Sequence, residues 1–218
     1  MSNQNRTFSG GVVDRNKPIN FTFNGKKYIG FEGDTLASAL LANDVHLVGR
    51  SFKYHRPRGI LTAGSEEPNA LIQLGIGART EPNIRATEIE IYEGLEAASQ
   101  NCWPSVNFDV GGANNILSRL FPAGFYYKTF KWPPSLWLFY EHFIRKAAGL
   151  GESPKAKNPD RYEQRFHYCD VMIVGGGISG LSAALAAARA KCDVLLVDEN
   201  QYFGGYLSNS ETSINGKK

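Results

Sequence analysis

Long hydrophobic runs are missing from this 218-residue chain. A bilayer-crossing helix needs about 20 consecutive apolar residues, and no stretch comes near that, so no transmembrane helix and no membrane partner are expected. The N-terminal stretch MSNQNRTFSGG lacks the apolar core of a signal peptide. Cysteine is scarce: Cys102, Cys169 and Cys192 are odd in number, widely spaced and form no CxxC. That excludes a disulfide framework and fits a reducing compartment, so a cytoplasmic location is expected. The four histidines, His46, His55, His142 and His167, lie in unrelated contexts. No nucleophile–base pair stands out, so no catalytic residue and no metal ligand is assigned. Charge of one sign is not dominant either: 24 Lys and Arg against 21 Asp and Glu leave +3, with 42% apolar residues. Disordered, collagen-like and acidic-tail chains are excluded on that composition.

What is present is unevenly spread. Residues 1–169 hold 20 basic and 16 acidic side chains, and residues 170–218 hold 4 and 5. The basic excess is sharpest in GRSFKYHRPRG at 49–59, where Arg50, Lys53, Arg56 and Arg58 have no acid among them. The interleaved Phe52, Tyr54 and His55 would suit a nucleic-acid surface, but one short basic loop is a weak footprint for one. It reads instead as an ion-pair hub or an anion contact, partly buried by the backbone or by acids such as Glu66 and Glu67, and no nucleic-acid partner is expected.

The pattern divides into three parts. In residues 1–99, INFTF and KKYIGF flank Asn24-Gly25, the dipeptide of a type I′ hairpin turn. A helix follows, with Asp34 as the natural N-cap, Leu36, Ala39 and Leu40 at helical spacing, and Asn43-Asp44 at its end. Strands are predicted at 70–74 and at 86–92, where Ile89 and Ile91 alternate with Glu88 and Glu90. Hairpin, helix, then strands is the order of a β-grasp domain; a generic small α+β domain has the same pattern. Residues 100–168 hold all three tryptophans and six of the ten prolines. Two helices are predicted there, at 114–120 and 136–148. The second carries a stripe of Leu136, Phe139, Tyr140, Phe143, Ile144 and Ala147, a Gly149 cap, and Arg145 and Lys146 where the dipole favours cations. This part is read as a connecting segment that wraps over other surfaces.

Residues 169–218 carry the chemistry. CDVMIVGGGISGLSAALAAARAKCDVLLVDEN reads as a buried strand, a glycine loop, an alanine-rich helix, a second buried strand and an acid. Gly175 turns off the strand, Gly177 leaves room for a pyrophosphate, and Gly180 lets helix and strand approach. The N–H groups around 178–181 and the helix dipole face the phosphate charge. Asp198 at the end of the second strand accepts from ribose hydroxyls, which disfavours an NADP 2′-phosphate. Gly204-Gly205 is a further place where backbone approaches a phosphate, or a plain turn. The motif alone leaves NAD and FAD open. Two strands and one helix fall short of a βαβαβ half, and the polar tail at 209–218 resembles no strand, so the sequence is expected to stop inside a domain, its Rossmann unit incomplete and truncated. The fold class is therefore α+β followed by α/β.

With these segments in view, the chain resembles the N-terminal part of the α subunit of heterotetrameric sarcosine oxidases and related amine-oxidising enzymes. GDTLASALLAND, GRSFKYHRPRGILTAGSEEPNALIQL, EPNIRATEIEIYEGLEAASQNCWPS and FPAGFYYKTFKWP carry the resemblance along with the dinucleotide motif. It implies a β-grasp, ferredoxin-like domain without an iron–sulfur cluster, since 50–63 has no cysteine. It implies NAD in the dinucleotide domain, with FAD as the alternative, and FMN and FAD only in the assembled complex. It implies partnership with β, γ and δ subunits and with the rest of the α chain, and a part in the oxidative demethylation of sarcosine to glycine. On the matching motifs, Gly175, Gly177, Ser179 and Gly180 form the pyrophosphate loop, Asp198, Glu199 and Asn200 the turn at the ribose, and Gly205 and Tyr206 the closing loop. Lys191 stands where such motifs often have glycine. Two alternatives stand beside this reading: a non-catalytic assembly module, and an α subunit of an FAD-binding amine or opine dehydrogenase.

Overall fold

The computed structural model describes residues 5–9, 11–116, 118–120, 124, 132–148, 151, 153–200, 202–205 and 207. They fall into two compact units, Met1–Phe8 with Val13–Pro159 (unit 1) and Ser9–Val12 with Asp160–Lys218 (unit 2).

Unit 1 opens with the hairpin of β1 (Asp14–Phe23) and β2 (Lys26–Glu32). Asn24 and Gly25 both take positive φ, 51° and 74°, as the I′ turn requires. Helix α1 (Leu36–Ala42) follows, and its N-cap is Thr35, whose side chain accepts from the Ser38 N–H. This corrects Asp34 as the cap. Asp34 is fully buried and its carboxylate has other work: it accepts from both Arg6 Nη atoms (2.9 and 2.5 Å), from the Phe31 N–H (2.9 Å) and from Ser38 Oγ (2.7 Å). A buried charge needs such a charged partner. Asn43 caps the other end, and Asp44 turns the chain at φ 64°.

After the short pair β3 (Gly49–Arg50) and β4 (Pro57–Arg58) come β5 (Leu71–Leu74), β6 (Glu81–Arg85) and β7 (Leu95–Ser99). The main sheet has the order β2-β1-β7-β5-β6, with β1 and β7 parallel and the other pairs antiparallel. This is the β-grasp arrangement. The strand predicted at 86–92 is not one. Its backbone instead caps α1: Leu36 N–H donates to Ile89 O (2.7 Å) and Ala37 N–H to Ala86 O (2.9 Å). Those are orphan donors of a helix N-terminus. Ile91 is buried and Ile89 packs on the core, so the alternating apolar pattern is satisfied without a ladder. Phe21, Leu36, Leu40, Ile72 and Leu95 form the centre of the core.

Beyond Ser99, the predicted first helix shrinks to α2 (Ala113–Ile116) and a 3₁₀ turn at Ser118–Leu120, while α3 (Trp137–Ala148) matches the second. Its aromatic stripe is open: Phe139 and Phe143 make an edge-on pair with centroids 5.0 Å apart, yet both are more than half exposed. Gly149 lies outside the described residues.

Unit 2 contains β8 (Val171–Val174), α4 (Ile178–Arg189) and β9 (Val194–Val197). The strands are parallel, in register from Val171 opposite Val194 to Val174 opposite Val197. Asp170 fastens their start: its carboxylate accepts from the Asp193 N–H at 2.8 Å. The strands read from the sequence as buried are not buried here. Met172 and Val174 are 59% and 77% exposed, and α4 has no buried residue. One helix covers one face of a strand pair, and the other face is open among the described residues. Cys169 and Cys192 are accordingly half-buried. Lys191 takes φ 64°, which explains why glycine suits that place. The tail at 208–218 lies outside the described residues. No helix among the described residues is long and apolar enough to cross a membrane.

Candidate dinucleotide site

The C-terminal end of the parallel pair is where open α/β sheets bind ligands. Gly175 leaves β8 at φ 103° and its N–H donates to Val197 O (2.8 Å), the last link between the strands. A Cβ on Gly180 would lie 1.8 Å from Gly175 O, so only glycine lets α4 start this close to the strand end. Gly177 faces open space: a Cβ there would meet no atom within 4 Å. Gly177 is also the N-cap of α4, without a side-chain cap. The first intrahelical bond runs from Leu181 N–H to Gly177 O (2.9 Å). The donors left at the helix start are therefore Ile178, Ser179 and Gly180, and the Leu181 N–H, counted among them from the sequence, is taken.

Asp198 sits at the end of β9 and turns back onto the loop. Its Oδ2 accepts from the Gly176 N–H, and its Oδ1 from Asn200 N (2.8 Å) and Nδ2 (2.9 Å). The Gly176 N–H first, then the two Asn200 donors, hold its carboxyl below the ordinary 3.8. It is thus ionised at neutral pH and oriented by the glycine loop. Glu199 is exposed. The following loop folds over the same place: Gly204 N–H donates to Gly176 O (2.9 Å), and a Cβ on Gly205, at φ 53°, would lie 3.1 Å from Gly177 Cα. Phe203 lies so close to Gly176 that a Cβ there would be 2.2 Å from the ring. Sequence reasoning missed Phe203; its position before the Gly204-Gly205 pair was the available signal. Tyr206 lies outside the described residues. Gly175, Gly177, Ser179, Gly180, Asp198, Asn200 and Gly205 are thus grouped at one end of the strand pair.

The basic loop of unit 1 is held by the backbone, one of the two kinds of partner expected, and not by Glu67. Arg50 donates to the carbonyls of Val106 (2.8 Å), His55 (3.2 Å) and Asn107 (3.4 Å), and Arg56 to Asn115 Oδ1 (3.0 Å). His55 Nδ1 pairs with Asp109 Oδ2 at 2.7 Å. Glu67 does not meet the arginines' guanidinium groups of this loop. It is buried and accepts from the N–H groups of Leu61, Thr62, Asn69 and Ala70. Burial pushes the Glu67 carboxyl up, and these donors, Thr62 foremost, more than offset it, leaving it below the ordinary 4.5.

Residues 16–102 match the family model of a 2Fe-2S iron–sulfur cluster binding domain, and residues 170–214 that of FAD dependent oxidoreductases. The chain thus has a ferredoxin-type domain followed by a Rossmann-like segment that matches part of the FAD dependent oxidoreductase model. It is homologous to sarcosine oxidase α subunits. It is 59% identical to "Sarcosine oxidase subunit alpha" of Rhizobium meliloti (strain 1021) over 95% of this chain and 21% of that one. It is 31% identical to the subunit of the same name from Corynebacterium sp. (strain U-96), over 91% of this chain and 16% of that one. The chain therefore spans about a fifth of the length of these relatives. A solved structure, L-proline dehydrogenase from P. horikoshii, aligns with a TM-score of 0.42 at 21% identity, over 88% of this chain and 26% of that one.

A 2Fe-2S cluster takes four ligands. Cys102 is the only cysteine in the matched region, and no group of three or more metal-ligating side chains occurs among the described residues. The residues present do not fit a cluster. They do fit a dinucleotide: Gly177 faces open space, and the ionised Asp198 is held by the N–H of the neighbouring Gly176.

Proposed function

We propose that this chain works as part of a sarcosine oxidase α subunit, with unit 2 holding the ADP half of a dinucleotide and unit 1 serving assembly. The observation that carries this reading is the convergence of Gly177, the N–H groups of 178–180 and the Asp198 carboxylate at one strand end. The N–H groups and the helix dipole suit a pyrophosphate. Asp198 suits free ribose hydroxyls, and its charge opposes a 2′-phosphate. Glu199 and Asn200 border the ribose, Gly205 and Tyr206 close over the nucleotide, and Gly175, Ser179 and Gly180 complete the cradle. NAD is the first reading. FAD is the second, favoured by the match to FAD dependent oxidoreductases. The chain's own residues bind and orient the nucleotide; none performs the amine oxidation. The complex, with β, γ and δ subunits and the rest of the α chain, would convert sarcosine to glycine in the cytoplasm. The proposed domain limits are 1–99, 100–168 and 169–218.

The test is the cofactor released on denaturing the purified full-length α subunit. A colourless extract that drives an NAD cycling assay supports the first reading, a yellow flavin extract supports the second, and an extract with neither overturns both. The 218-residue chain alone should yield no hydrogen peroxide from sarcosine.

A further inference from the structure

Cys169 and Cys192 each stand two residues before a strand of unit 2, β8 and β9. Those strands are parallel, with Val171 opposite Val194 and Ile173 opposite Leu196. Two steps back along that register, position 169 lies opposite 192. The pairing continues toward them. Asp170 N–H and Val171 N–H both donate to Asp193 O (2.9 and 3.1 Å), and Asp193 N–H donates to the Asp170 carboxylate (2.8 Å). The residue after one cysteine is therefore tied to the residue after the other.

Side-chain direction agrees with the register. Side chains alternate along a strand, so 169 shares a face with 171 and 173, and 192 with 194 and 196. Ile173 lies on the face that α4 covers: a Cβ on Gly180 would be 3.5 Å from Ile173 Cγ2. Cys192 N–H donates to Ala187 O (3.2 Å) and Lys191 N–H to Ala188 O (2.9 Å). This is the Schellman end of a helix, and a side chain in the place of Cys192 turns back onto the last helical turn. Both cysteines thus belong to the covered face, and both are half-buried free thiols within reach of small solutes. Neighbouring strands run about 4.8 Å apart, inside the span of about 4.4–6.8 Å between Cα atoms that a disulfide bridges.

We propose that Cys169 and Cys192 form a reversible disulfide in the presence of hydrogen peroxide, a redox latch across the start of the strand pair. One thiol, as thiolate, attacks a peroxide oxygen; the O–O bond breaks, and a sulfenic acid and one water result. The second thiol attacks the sulfenic sulfur, the S–O bond breaks, the S–S bond forms and a second water leaves. The two thiols lose two electrons and two protons, and the peroxide takes them up. Cys102 is a poor competitor: burial first, then the Asp109 charge, push its thiol above the ordinary 9.0 against the pull of Arg50. Closing the loop 169–192 restricts the unfolded chain, which matters most for a unit whose helix has no fully buried residue.

The experiment treats the purified full-length α subunit with millimolar hydrogen peroxide, alkylates the remaining thiols and maps tryptic peptides. Trypsin places the two cysteines in separate peptides, 166–189 and 192–217. These should appear joined, lighter by a pair of hydrogen atoms than their sum, and dithiothreitol should part them. C102S should keep the link, and C169S and C192S should each abolish it. Amide exchange at 170–174 and 194–197 should slow about tenfold on oxidation and recover on reduction, in the unmodified protein and not in C169S. Dibromobimane, which bridges thiols a few ångströms apart without an oxidant, should join the same two peptides in the reduced protein. A link from either cysteine to any other, sulfinic acids in place of a link, or no joining by either reagent overturns the inference. None of these outcomes touches the nucleotide reading, which stands or falls on the extracted cofactor.

Discussion

In unit 1, Phe21, Leu36, Ile72 and Leu95 are all but sealed from water, while in unit 2 the helix α4 has no fully buried residue and Met172 and Val174 stay open. Five strands with a helix laid across them close a core; two strands with one helix do not. The difference shows where the order in each unit comes from. Unit 1 is held by apolar burial, with Asp34 and Glu67 as fully bonded charges inside it. Unit 2 is held by backbone geometry: Gly175 and Gly180 at a close approach, Asp170 at one end of the strands and Asp198 at the other. A unit of the second kind gains more of its stability from whatever binds it.

The largest test of this contrast is truncation. Phe21→Ala should cost about 3–5 kcal/mol of unfolding free energy, read from urea transitions by tryptophan fluorescence, since Trp103, Trp132 and Trp137 all lie in unit 1. Leu185→Ala, at a site 53% exposed, should cost less than about 1 kcal/mol. Equal costs would break the comparison. Next, Glu67→Gln should cost roughly 2 kcal/mol, because a buried charge with several N–H donors is replaced by a group that turns a donor toward some of them. The folded Glu67 carboxyl lies below its ordinary 4.5. Its contribution is therefore complete above that value and is lost as pH falls through the lower folded one. The gap between Glu67→Gln and the unmodified chain should close on acidification, in urea melts at successive pH values.

In unit 2 the measurable quantity is ligand choice. The unmodified full-length subunit should prefer NAD to NADP by one to two orders of magnitude, since like charges at about 4 Å in an effective dielectric of about 20 repel by roughly 4 kcal/mol before solvent relaxation. Asp198→Ala should narrow that preference about tenfold in calorimetric titrations; unchanged selectivity would remove Asp198 from the site. The smallest effect is Lys191→Gly, which relieves a left-handed backbone at φ 64° and should raise unit 2's resistance to hydrogen exchange by at most about 1 kcal/mol.

The same contrast governs what could be read from residues alone. Asn24-Gly25 announced its hairpin because few dipeptides tolerate two positive φ angles, and the glycine loop was plain because strand, helix and acid stand around it in register. The segment at 86–92 misled because alternation reports which side chains face inward, not what the backbone bonds to, and here the backbone caps a helix. Asp34 was mistaken for the cap because capping and burial use the same residue type; Arg6, far away in sequence, decided between them. Backbone partners for the basic loop were expected, but which carbonyls Arg50 meets was illegible, because carbonyl oxygens carry no sequence signature. Phe203 was missed because aromatic contact with a glycine depends on a turn that the sequence does not specify.

The parallel pairing of β1 with β7 has a consequence for the chain as it is made. Phe21 lies opposite Leu95, across 74 positions of sequence. The hairpin and α1 can form as soon as they are synthesised, but the inner edge of the first strand stays bare until the last strand has emerged. At a synthesis rate of about 5–20 residues per second, that leaves an aromatic strand edge without its neighbour for several seconds. Such an edge is a template for pairing with other chains, and the long separation between the paired strands makes closure of this sheet slow; the sheet is complete only once Ser99 is in place.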